Sequence, residues 1–125
     1  VPLRNVLIYI CLSKTGRYEK ANGYLERAVL LSSDPMLYYV MAKNEQCLGE
    51  YRQAEKHLLH AIDILPERIY PYYLLMNLYT EPSYFQPAKL KMAIDSVLTK
   101  KPKVESSAIK EMKEKARSML NNTSI

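Results

Sequence analysis

The chain has 125 residues, of which 48% are apolar, and it carries eleven tyrosines, two cysteines and no tryptophan. That length bounds it to a single domain, residues 1–125, with enough apolar residues for a continuous core; its longest uninterrupted apolar run, Val6 to Leu12, is far short of the about 20 residues of a membrane span. The net charge of +5 is uneven: residues 100–117 hold seven bases against three acids, and the rest of the chain holds eleven against ten, so the basicity belongs to the tail.

Apolar residues recur at spacings of three and four, and no long alternating β-branched run appears, so the chain is expected to be all-α. Helices are predicted at about 3–14, 17–31, 35–48, 51–64, 68–80, 86–99 and 105–120. The second and fourth read as two copies of one unit. Gly16-Arg17-Tyr18 leads to Ala21, Leu25 and Ala28, and Gly49-Glu50-Tyr51 leads to Ala54, Leu58 and Ala61 at matching intervals. Gly16 and Gly49 suit the left-handed conformation that closes one helix before the next. The alanines let two helix backbones approach closely, and Tyr18 and Tyr51 open the second helix of each pair. Asp34-Pro35 gives the third helix a cap and a first-turn proline.

A third copy is weaker. Tyr38, Met41 and Ala42 have counterparts one repeat on in Tyr72, Leu75 and Met76, and the same spacing carries Ala54 and Leu58 to Ala88 and Met92. Ser83 then stands in place of the glycine, Phe85 in place of the tyrosine and Asp95 in place of the second alanine, so this helix pair is expected to open wider. Lys101-Pro102 ends the sixth helix. The last one has an apolar stripe of Ile109, Met112, Ala116 and Met119 or Leu120, with Lys and Glu elsewhere, which suits a cap with a solvated outer face. Asn121 to Ile125 are expected to fray.

The order Gly, Tyr, Ala, apolar, Ala, with Pro66 after the second copy, resembles the tetratricopeptide repeat, whose period is about 34 residues. The resemblance covers roughly residues 3–100. It implies an α-solenoid of three antiparallel helix pairs, about 3–33, 34–67 and 68–100, plus a capping helix at about 105–120. Leu3, Val6, Leu7, Ile8 and Ile10 leave the first helix apolar nearly all round. A solenoid end should be polar, so this one is expected to be covered by upstream sequence, a ligand or a second copy of the chain. The chain begins at Val1, which predicts a piece of a larger protein, with any targeting signal or membrane region upstream; localisation stays open between cytoplasm and periplasm.

Catalytic chemistry is not expected. The chain has three glycines and therefore no Gly-rich phosphate loop, and it has no GxSxG elbow. His57, His60 and Asp63 share one stripe of a helix, but no HExxH or CxxC accompanies them, so neither a metal nor a cofactor is expected. Cys11 and Cys47 fall in apolar helices and are expected to be buried small hydrophobes rather than disulfide partners. The basic tail lacks aromatic interleaving, and its alternating Lys and Glu read as a solvated face rather than a nucleic-acid or membrane contact.

In tetratricopeptide proteins the first helix of each pair lines a concave groove. The matching positions are Val6 and Ile10, then Met36, Tyr39, Lys43 and Gln46, then Tyr70, Tyr73 and Asn77. They describe an apolar-to-aromatic surface with a few polar handles, suited to a protein or peptide. Some family members clamp a C-terminal carboxylate with Lys and Asn at such positions. Here only Asn77 agrees, so that clamp is not expected.

A second resemblance rests on Arg68-Ile69-Tyr70-Pro71-Tyr72-Tyr73-Leu74-Leu75, Val97-Leu98-x-x-Lys101-Pro102-Lys103-Val104 and Ala108-Ile109-Lys110-Glu111-Met112. Over about residues 17–120 the chain is similar to the soluble C-terminal repeat region of bacterial O-antigen ligase or polymerase-like membrane proteins. That implies a non-catalytic cell-envelope segment of a glycan-transfer protein. The first expectation is a scaffolding module that binds a protein or peptide; the second is this accessory tail.

Overall fold

The computed structural model describes residues 16–102 and 105–123. All regular structure among them is helical: α1 Tyr18–Ala28, α2 Pro35–Cys47, α3 Tyr51–Ile64, α4 Tyr70–Tyr79, a 3-10 turn Pro82–Tyr84, α5 Pro87–Thr99 and α6 Ser107–Thr123. The predicted helix at 3–14, with Val6, Ile10 and Cys11, lies outside the described residues. The chain packs as two compact units, Val1–Leu65 and Pro66–Ile125.

In the first unit, α1 packs on α2 and α2 on α3. Asp34 starts α2: its Oδ1 accepts the Met36 N–H at 3.0 Å, and Pro35 fills the first turn, where its missing N–H costs nothing. The end of α2 is closed by Gly49 at φ +79°. The Gly49 N–H donates to the Gln46 carbonyl at 3.1 Å, and the Glu50 N–H reaches back to the Glu45 carbonyl at 2.8 Å. These two bonds make a Schellman closure and satisfy carbonyls that the helix end would otherwise orphan. Nothing lies within 4 Å of where a Cβ would stand on Gly49, so Gly49→Ala is expected to cost about 1–2 kcal/mol from backbone conformation. Urea unfolding of wild type and variant measures it; no loss would mean the turn relaxes to another closure.

The buried stripes of α1 and α3 are the repeated positions: Ala21, Leu25 and Ala28 in one, Ala54, Leu58 and Ala61 in the other. Each fully buried leucine contributes about 1.5–3 kcal/mol. Polar groups also enter this core. Asn22 and Asn44 are buried and bond to each other, Asn44 Nδ2 donating to Asn22 Oδ1 at 2.8 Å, while Asn22 Nδ2 donates to the Met41 carbonyl at 3.3 Å. The pair holds α1 and α2 in one register, because a slip would strand both amides.

In the second unit, α4 packs on α5, and α6 packs on both. The buried set of α4 repeats that of α2: Leu37, Met41, Ala42, Asn44 and Glu45 become Pro71, Leu75, Met76, Leu78 and Tyr79. The two polar members have become apolar. Tyr72, the counterpart of Tyr38, is half-buried as Tyr38 is.

The register of α5 corrects the sequence reading. Ala88 and Met92 are exposed, Met92 at 70%, and the buried stripe is Leu90, Ala93, Ile94 and Val97. The counterparts of Ala54, Leu58 and Ala61 are therefore Leu90, Ile94 and Val97, two positions later than the sequence spacing places them. The second alanine is matched by Val97 rather than Asp95. The cause is the linker. Leu48, Gly49 and Glu50 alone turn α2 into α3, whereas Thr80 to Gln86 separate α4 from α5. Thr80 stops α4, its Oγ1 donating to the Asn77 carbonyl at 2.6 Å. Pro82 cannot extend a helix through its missing N–H, and the 3-10 turn follows. Tyr79 and Tyr84 stack across that linker with ring centroids 6.5 Å apart.

The basic tail is not merely a solvated cap. Lys113 Nζ donates to the carbonyls of Leu98 at 3.3 Å and Lys100 at 2.9 Å, which ends α5 with a cation where the helix dipole favours one. On α6, Ala116 is buried and Ile109, Met112, Met119 and Leu120 are half-buried, and the helix runs on to Thr123, past the point where fraying is expected.

Candidate functional site

The expected binding positions are distributed over α2 and α4, one set in each unit. On α2, Met36 is 44% exposed and Lys43 is exposed, with Tyr39 and Gln46 half-buried. All four lie off the buried stripe, because Leu37, Met41 and Glu45 turn the other way. On α4, Tyr70, Tyr73 and Asn77 are half-buried. They match Met36, Tyr39 and Lys43 at the same repeat interval that relates the two buried sets.

Tyr70 and Tyr73 stack at 6.4 Å between centroids, 25° apart in plane. The Lys115 ammonium from α6 sits 5.5 Å from the centre of the Tyr73 ring, within cation–π range. Asn77 Oδ1, one turn beyond Tyr73, is buried and has no hydrogen-bond partner among the described residues. An acceptor in that condition carries a desolvation penalty until a donor reaches it. Lys115 is not among the residues the sequence places here. Its position on the chain reveals only that it is basic; its place over Tyr73 depends on how α6 crosses α4.

A second concavity lies within the first unit. Tyr38, Lys56, His57, Leu59, His60 and Asp63 line an open depression of about 340 Å³. The Tyr38 ring meets His60 edge-on at 4.7 Å and lies 5.9 Å from His57. His57 Nδ1 is 2.7 Å from Glu45 Oε1. The contact ties the imidazole to the carboxyl group and fixes the orientation of the ring. Glu45 is buried, with 3% of its surface exposed, and no sequence motif singles it out. The signal is its register: it falls where α4 has the buried Tyr79. Among the described residues no three His, Cys, Asp or Glu side chains come together as a metal-ligand set. His60 and Asp63 face solvent as the helical spacing implies, whereas His57 is half-buried against α2.

Cys47 is exposed, not buried as expected. It is the last residue of α2, beyond the stripe that ends at Glu45. A hydrogen bond to Cys47, then the charge on the Cys47 sulfur and the desolvation of the phenol itself, raise the pKa of Tyr18 above the ordinary tyrosine value. Among the described residues no helix is long and apolar enough to cross a membrane.

Set against protein-family models and curated proteins, the chain matches none.

Proposed function

We propose that the chain is a tetratricopeptide-like helical-repeat module in which the tyrosine-bearing faces, on α2 in the first unit and on α4 in the second, each bind a protein or peptide segment. The observation that carries this reading is the shared register of the two helices. The five buried positions of α2 are all buried again in α4, which adds Leu74, and both helices leave the positions at 36/70, 39/73 and 43/77 outside the buried set. Repetition of a buried set is what stacking demands; a tyrosine repeated at 39 and 73, outside that set, is not demanded by stacking. Tyr offers a large rigid contact area with a polar tip, at little conformational cost.

Selection of short random peptides displayed on phage against the immobilised chain tests the reading. Enriched peptides are expected to bind in fluorescence anisotropy, and the double variant Tyr39→Ala, Tyr73→Ala should weaken them about tenfold or more, with a smaller loss of stability than truncating the buried Leu37. No enrichment over the bare support would sink the proposal, as would a loss of binding matched by an equal loss of stability.

A further inference from the structure

We infer that the depression over Tyr38 in the first unit is a binding site for a basic side chain, an arginine or lysine head presented by a partner, with Asp63 as its counter-charge. Tyr39 does not line this depression, so the site stands without the reading of the tyrosine-bearing faces.

Tyr38 and His60 meet edge to face, 68° apart in plane, so their rings form two walls of a corner. His57 adds a third ring, 5.9 Å from Tyr38. Aromatic faces carry the negative end of a quadrupole, and walls set at steep angles turn such faces towards one small volume, which suits a cation. His57 Nδ1 lies 2.7 Å from Glu45 Oε1, so a proton carried by that ring is balanced by the carboxylate behind it. Asp63 stands exposed on the rim and has no ion pair or hydrogen bond among the described residues. Residues 16–65 hold six bases against seven acids, so the first unit does not share the basicity of the tail.

The matching ring of the second unit shows what such a tyrosine accepts. Tyr72 is the counterpart of Tyr38, and the Lys100 ammonium stands 4.9 Å from its centre. In the register of the buried stripes Lys100 is matched by Ile64, which has no charge to offer. Lys56 borders the depression, yet among the described residues no cation stands over Tyr38. The second unit covers its tyrosine with its own lysine. The first leaves that place, with an acid beside it, to a cation from outside.

The test titrates the isotope-labelled full chain with Nα-acetyl-lysine amide and Nα-acetyl-arginine amide, following the ring signals of Tyr38, His57 and His60 by NMR. Both probes should shift those signals and saturate in about the millimolar range, and Nα-acetyl-norleucine amide, which has the stem without the charge, should bind at least about fivefold more weakly. The chain carries +5 overall, so general attraction works against a cation and cannot imitate this result. Asp63→Asn should weaken the basic probes about twofold to fivefold, and His60→Leu, which removes one wall, by a similar factor. Lys56→Gln removes a like charge from the same rim and should tighten them about twofold. All three residues are exposed, and a merely structural role would not give opposite signs at Lys56 and Asp63. Equal shifts from the norleucine probe, shifts spread over the acidic residues without saturation, or wild-type affinity in Asp63→Asn each overturn the inference.

Discussion

Ile94→Ala is expected to cost about 2–5 kcal/mol of stability, and Met92→Ala less than about 0.5 kcal/mol. Ile94 is fully buried in the stripe of α5, and Met92, half a turn earlier, is 70% exposed. Truncating Ile94 removes apolar contacts and leaves a space that packed neighbours only partly fill. Met92 has little packing to lose. The two substitutions separate the registers: the interval that relates α2 to α4 would put Met92 opposite Leu58 in the core, and the longer interval puts Ile94 there. Urea unfolding followed by circular dichroism reads both. A large loss for Met92→Ala with little for Ile94→Ala would restore the shorter period and mean that the linker inserts nothing.

Why α4 is legible in the sequence and α5 is not follows from what each helix rests on. The register of α4 is pinned by its own pattern, because Met41, Ala42 and their counterparts Leu75 and Met76 sit adjacent and admit no shift. α5 carries two stripes that both look apolar, Ala88 with Met92 and Leu90 with Ile94 and Val97. Composition does not choose between them. The choice is made at Thr80 and Pro82, where α4 stops and the chain takes a 3-10 turn before Pro87 restarts it. The glycine turns are readable because φ of +83° at Gly16 and +79° at Gly49 is a local demand that only a few residue types meet.

The binding faces are readable to the same depth. Positions 36, 39, 43, 70, 73 and 77 follow from helical register, so their place beside the buried stripes needs no tertiary information. The contacts that give those positions chemistry are not readable. Lys115 reaches Tyr73 from a distant part of the sequence, through the crossing of α6 over α4. Glu45 looks like a surface acid by type, and it is buried only because its helix face is fixed by Leu37 and Met41. The Asn22–Asn44 pair is the same case: amides are ordinarily solvated, and only the α1–α2 packing turns these two towards each other.

Glu45 gives the second large effect. His57→Leu should destabilise the chain by about 1–3 kcal/mol, below the range for breaking a fully buried ion pair, because water still reaches the imidazole. The side chains are 4% exposed for Glu45 and 22% for His57, at 2.7 Å. Removing the imidazole strands a carboxylate in the α2–α3 core, whereas Glu45→Met alone removes the group that was costly to bury. The double variant Glu45→Met, His57→Leu should therefore recover most of what His57→Leu loses. The chain already contains a version of this solution: at the position matching Glu45, α4 buries Tyr79, and its buried set holds no acid. A double-mutant cycle by urea unfolding should return a coupling of about 1 kcal/mol or more. Additive losses would mean that Glu45 and His57 touch without stabilising one another, and that the depression beside them is bordered by a side chain the core does not need.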